Sequence, residues 1–117
     1  MRVIIAGGRD FNNYDLIEQT MAVFNLEIDY IISGAADGAD ALGERWAENH
    51  QIPVKRYPAQ WHKFGKQAGA IRNRTMAISG DYLVAFWDGK SKGTKIMIDM
   101  MKQRGKHGKV VIYENNL

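Results

Sequence analysis

Short apolar runs recur along the chain at residues 3–6 (VIIA), 29–33 (DYIIS), 52–57 (IPVKRY), 82–87 (YLVAFW) and 110–113 (VVIY). The first is too short for a helix, rich in β-branched residues and closed by Gly7 and Gly8, so it reads as a strand buried on both faces of a parallel sheet. The others follow the same grammar, and Pro53 near the start of the third predicts an edge position. Between the runs lie segments with helical spacing. A first helix, capped by Asn12 or Asn13, carries Ile17, Met21 and Phe24, and a second over 38–49 buries Leu42, Trp46 and Ala39. A third over 67–79 has Ala68, Ile71, Thr75 and Ile78 on one face, with Arg72 and Asn73 on or beside its polar side. A fourth over 93–104 is apolar at Met97, Ile98 and Met101. Residues 58–65 (PAQWHKFG) read as an irregular aromatic loop able to fold over the strand ends, and the tail 115–117 is expected to fray. Strands alternating with helices over residues 1–117 predict a single α/β domain, doubly wound, with a mostly parallel five-stranded sheet. In that architecture a ligand lies outside the carboxyl ends of the strands, at the topological switch point.

Three strand exits share one design, a glycine-containing polar turn leading to a helix. At the first, Gly7 and Gly8 make a tight turn, Arg9 suits a bidentate anion contact, and Asp10 suits ribose hydroxyls or a helix cap. At the second, Ser33, Gly34 and Ala35 leave the backbone approachable, while Asp37 and Asp40 either cap the next helix or face a ligand as hydroxyl acceptors or general base. The third, residues 84–94 (VAFWDGKSKGT), organises the rest. Trp87 offers a stacking face, Asp88 and Gly89 form the turn, and Ser91, Gly93 and Thr94 would hold a phosphate at a helix N-terminus. The plainer reading of all three is a capped helix after a polar turn. Three such exits in one small domain predict one shared crevice whose glycines present backbone N–H groups to an anion.

Charge sharpens this picture more than overall composition does. Residues 1–48 hold three Lys/Arg against nine Asp/Glu, whereas residues 49–117 hold thirteen against four. Between Glu48 and Asp81 there is no acid, but Lys55, Arg56, Lys63, Lys66, Arg72 and Arg74 are all basic, so a phosphate-bearing small molecule or nucleic acid is the expected partner. Trp61 and its basic neighbours in WHKFGKQAGAIRNRTM suit stacking on a base together with phosphate pairing. No G-x-G-x-x-G or G-x-x-x-x-G-K-[ST] run occurs, which disfavours a dinucleotide dehydrogenase and a P-loop NTPase. His50, His62 and His107 are isolated and cysteine is absent, so no metal site is expected. No apolar run reaches membrane-spanning length and Met1 leads straight into a strand, which predicts a cytoplasmic protein without membrane attachment. Met97, Met100 and Met101 exceed what one helix side buries, predicting a homo-oligomer.

AGGRDF, SGAADGAD, PAQWHKFGKQAGAIRNRTM and AFWDGKSKGT, in this order, resemble the YspA-type, YpsA-related family of the SLOG superfamily. The resemblance implies a compact Rossmann-like domain, found in bacteria and their phages, that binds nucleotides or nucleotide-derived molecules. It also relates the chain to the lonely-guy phosphoribohydrolases and the DNA-loading protein DprA. Against the hydrolase signature, Arg72 and Met76 match, Asn73 replaces a lysine, Gly93 and Thr94 keep the Gly-Thr pair, and Met97 stands where the catalytic glutamate would be. The leading expectation is therefore a binding module with no assigned cofactor beyond a nucleotide-derived ligand, its phosphate on Ser91, Gly93 and Thr94. A nucleotide hydrolase using Arg72, Asp88 or Asp40 is the alternative. Single-stranded nucleic-acid binding through Lys63, Lys66, Arg72 and Arg74 is a third reading.

Overall fold

A computed structural model describes residues 1–24 and 27–114; the tail 115–117 lies outside the described residues. The chain runs β1 (Arg2–Gly7), α1 (Tyr14–Ala22), β2 (Tyr30–Ser33), α2 (Ala39–Asn49), β3 (Val54–Arg56), α3 (Trp61–Phe64), a 3-10 turn (Gly65–Gln67), α4 (Ala68–Ser79), β4 (Tyr82–Trp87), α5 (Lys92–Gln103) and β5 (His107–Ile112). The sheet order is β3-β2-β1-β4-β5, and every neighbouring pair is parallel. The chain winds outward from β1 to β3, then returns to place β4 on the other side of β1, so the switch point lies between β1 and β4. Pro53 precedes an edge strand, as expected.

Alternation within the strands divides the core into two layers. Val3, Ile5, Ile31, Val84 and Phe86 face one way with Ile17, Met21 and Trp46 of α1 and α2; Ile4, Ala6, Ile32, Leu83 and Ala85 face the other with Met76, Met97 and Met101 of α4 and α5. Each large side chain so buried contributes about 1.5 to 3 kcal/mol, which makes continuous apolar strands stable only when both faces are covered. Asn13 rather than Asn12 caps α1, accepting from the Leu16 N–H at 3.1 Å.

Four expectations need correction. Residues 58–65 are not wholly irregular: Trp61–Phe64 and Gly65–Gln67 each make a helical turn. In α4 the buried positions are Ala68, Met76 and Ala77, while Ile71, Thr75 and Ile78 are exposed. Met76 and Ala77 instead face the sheet, and just past the helix Gly80 lets Ile4 come close, an added Cβ there lying 2.6 Å from the Ile4 side chain. This rotation carries Arg72 towards the strand ends. The third correction is β5, which starts at His107 rather than 110, and the fourth concerns the methionines. Met97 and Met101 are buried and Met100 packs on the same cluster, so they give no argument for contact between copies.

Two backbone devices fix the helices to the sheet. Lys106 Nζ donates to the carbonyls of Ala77, Ile78 and Gly80 at 2.7, 3.0 and 2.6 Å, placing a cation on the negative end of α4. At the other end of the sheet, the Gly8 N–H donates to Phe86 O at 3.1 Å, and the Gly8 carbonyl accepts from Ala39 N at 3.1 Å and Phe11 N at 3.3 Å. No described helix is long and apolar enough to cross a membrane.

Gly38 has φ +73°, and an added Cβ would lie 2.2 Å from the Gly8 carbonyl oxygen. Gly38→Ala therefore combines left-handed strain with a backbone clash and is expected to cost about 3 kcal/mol, read from urea denaturation midpoints. A variant as stable as the parent would show that α2 does not depend on this approach.

Candidate functional site

Because β1 and β4 send their chains to opposite faces, their carboxyl ends open a gap that no helix fills. The gap is a crevice of about 510 Å³. Gly7, Gly8, Arg9 and Asp10 of the β1 exit line it, with Gly34 and Asp40 from the β2 exit. Arg72 and Asn73 of α4 form another wall, and Asp88, Ser91, Gly93 and Thr94 close it from the β4 exit and α5. An adjoining recess of about 200 Å³ is lined by Ala35, Asp37 and Trp61 and shares Arg9, Gly34, Ala36 and Arg72 with the crevice.

Ser33, Trp87 and Gly89 stand apart from both cavities. Ser33 is buried, donating to Glu44 Oε2 at 2.6 Å and accepting from Ala35 N at 3.1 Å. Trp87 packs against the α4/α5 layer and spends its indole N–H on the Ser91 carbonyl at 3.0 Å, so it anchors the loop. Gly89 turns that loop with φ +83° in open space. Sequence reading misses Ala6, whose small side chain ends β1 at the crevice floor, and Tyr113, which braces the first loop. Ala6 was signalled by being the one small residue in a branched run; Tyr113 had no local signal.

The three exits differ in what their backbones offer. The Gly8 N–H is taken by Phe86, the Ala35 N–H by Ser33 and the Ala36 N–H by Asp40 Oδ2 at 3.2 Å. At the third exit, Asp88 Oδ1 accepts from Lys90 N and Ser91 N at 2.8 and 2.7 Å, which holds its pKa below the usual carboxylate range. Beyond that turn, α5 begins without a side-chain cap, so its first-turn N–H groups open on the crevice at Gly93, where even an added Cβ would touch nothing. The dipole of α5 adds positive potential there.

Charged groups meet over Gly34. A Cβ on Gly34 would lie 2.7 Å from Asp40 Oδ2 and 3.0 Å from Arg72 Nη1, so the missing side chain is what lets both groups sit together. Arg72 donates from Nη1 to the Gly34 carbonyl and from Nε to Asn73 Oδ1 at 2.8 Å. Burial lowers its pKa, with Asp40 opposing and Arg9 adding to that shift. Asp40 is 8% exposed, and burial lifts its pKa from 3.8 to about 6 against the pull of the Ala36 N–H and Arg72. Asp10 accepts from Tyr113 Oη at 2.8 Å; burial, then this bond, pushes the phenol's pKa up. Among the described residues no cluster of His, Asp and Glu is arranged to hold a metal ion.

Residues 1–64 match the family described as the YspA, cpYpsA-related SLOG family, abbreviated YAcAr. That match takes in the β1 and β2 exits and ends before Arg72 and the α5 loop. The chain is also similar to the Gene 61 protein of Mycobacterium phage D29, 32% identical over 103 residues that cover 80% of this chain and 82% of that protein. No solved structure matches it significantly.

The raised pKa of Asp40 carries a stability consequence. Below 3.8 the group is neutral in both the folded and unfolded chain; between 3.8 and about 6 only the folded chain keeps the proton, so stability falls as pH rises through this window. Asp40→Asn removes that penalty and is expected to stabilise the fold by on the order of 2 kcal/mol at pH 8, with the gain vanishing towards pH 4. Urea denaturation of both proteins across this pH range measures it, and a pH-independent difference would contradict the assignment.

Proposed function

The chain belongs to the YspA, cpYpsA-related SLOG family, and on that premise we propose that it binds a nucleotide or nucleotide-derived molecule in the crevice at the β1/β4 switch point. The observation that carries this reading is the start of α5 at the crevice: Asp88 orders the approach through Lys90 N and Ser91 N, and the first helical turn beyond it has no side-chain cap. The ligand's phosphate lies on the N–H groups of that turn and the hydroxyls of Ser91 and Thr94, which stand 3.4 Å apart. Arg72 and Arg9 supply charge, and Asp10 on the opposite lip accepts from sugar hydroxyls. Ala6, Met76 and Met97 give the apolar floor.

Met97 cannot take or give a proton, so this chain lacks the glutamate by which the related phosphoribohydrolases are expected to act. A hydrolytic reading rests instead on Asp40, the crevice carboxyl that titrates near neutrality and therefore suits general acid or base work. Incubation with nucleoside monophosphates and dinucleotides, followed by chromatography, separates the readings: turnover lost in Asp40→Asn supports hydrolysis, and intact ligands support binding alone.

For the binding reading, Arg72→Ala and Thr94→Ala are each expected to weaken nucleotide affinity by about 1 to 3 kcal/mol, measured by calorimetric titration with a panel of nucleotides. Unchanged affinity in both variants removes the phosphate from α5. Mass spectrometry of any small molecule released from the purified protein on denaturation identifies the natural ligand.

A further inference from the structure

Accepting a nucleotide in the crevice, we propose that the preferred ligand is a nucleoside diphosphate or a diphosphate-linked nucleotide, its second phosphoryl group held between Arg9 and Arg72 and its base on Trp61 in the adjoining recess. The inference begins with the way the two cavities join. They meet at Arg9, Gly34, Ala36 and Arg72, and two of these four are cations. The two cavities thus adjoin along Arg9 and Arg72, so an extended molecule that occupies both must pass these two side chains.

The cations at that passage are poorly compensated. Among the described residues neither Arg9 nor Arg72 is held in an ion pair, and Arg72 Nη2 makes no hydrogen bond. The two guanidinium groups lie close enough for the charge of one to lower the pKa of the other. Of the three carboxylates on the crevice walls, Asp88 is occupied by its own loop and Asp10 accepts from Tyr113, which leaves Asp40, beside Arg72 over Gly34, as one counter-charge for two guanidinium groups. A monophosphate shares one phosphoryl group between α5 and this like-charged pair. A second phosphoryl group, joined through an anhydride oxygen, lets the ligand satisfy both, with the bidentate geometry that guanidinium favours.

Trp61 completes the argument from the other end. It belongs to a four-residue helix with no buried residue and stays 54% exposed, so core packing does not explain the position of its ring. Gly69 of α4 leaves room for the ring, since an added Cβ there would lie 3.5 Å from Cη2, and Trp61 lines the recess. A half-exposed indole on a recess wall is a stacking platform for a nucleobase. Asp37, exposed on the recess wall, offers sugar hydroxyls an acceptor beside that platform.

The test is a calorimetric titration with adenosine monophosphate, adenosine diphosphate and inorganic pyrophosphate, on the parent protein and the variants Arg9→Ala and Trp61→Ala. Adenosine diphosphate is expected to bind at least about tenfold tighter than the monophosphate, and Arg9→Ala to cut that ratio below about threefold. Trp61→Ala is expected to weaken both nucleotides by about tenfold or more while pyrophosphate keeps its affinity. If the monophosphate binds and the diphosphate binds no tighter, the inference fails and the nucleotide reading stands. Should none of the three probes bind, both fall. If Trp61→Ala weakens pyrophosphate as much as nucleotides, Trp61 acts through the fold and the stacking assignment is overturned.

Discussion

One peptide group, that of Gly8, holds this molecule's working end together. Its N–H reaches β4 through Phe86, and its carbonyl receives both the start of α2 at Ala39 and the turn towards α1 at Phe11. A single residue therefore joins the two central strands to the helices of one face. The arrangement demands close backbone approach on every side. An added Cβ on Gly7 would meet the Phe86 carbonyl at 2.1 Å, and one on Gly38 would meet Gly8 itself. The absence of side chains at these three residues lets the backbones and the Tyr113 hydroxyl pack against one another, and that close packing holds the crevice's first wall in place.

This arrangement divides the labour among the exits. The β1 and β2 loops use their hydrogen-bonding capacity to hold shape, and so become scaffolding for the side chains of Arg9, Asp10 and Asp40. The α5 turn uses Asp88 to order its approach and leaves the helix end itself uncapped. Rigidity and receptivity thus come from different loops, which lets the receptive one carry unpaired donors without weakening the core. Burial of Asp40 beside Arg72 follows the same logic at the level of charge: the pair survives because Gly34 makes room and the Ala36 N–H shares the carboxylate.

Much of this could be read from the chain before any coordinates. The five strands, a largely parallel sheet and the three glycine exits follow from apolar runs broken at fixed places, and a strand exit is a local pattern. The rotation of α4 was not legible. Its apolar residues are spread around the helix, and the face that wins is the one that puts Met76 and Ala77 against Ile4, Ile32 and Leu83, residues distant along the chain. The fate of the exit amides was equally hidden. Nothing in GGRD or SGAADGAD tells that Phe86, Ser33 and Asp40 would take the Gly8, Ala35 and Ala36 hydrogen bonds. The Trp87 indole N–H is spent likewise, on the carbonyl of its own loop, which an indole after a strand does not announce.

The bond from Tyr113 to Asp10 spans 103 residues and braces the first loop with almost the last described side chain. Phe11 stacks on Phe86 at a centroid distance of 4.9 Å and meets the Tyr113 ring edge-on at 4.7 Å, so the loop leans on Tyr113 as well as on β4. Losing Tyr113 would therefore leave the sheet intact but unbrace the β1 loop, so the crevice's first wall is closed by a contact that spans nearly the whole described chain.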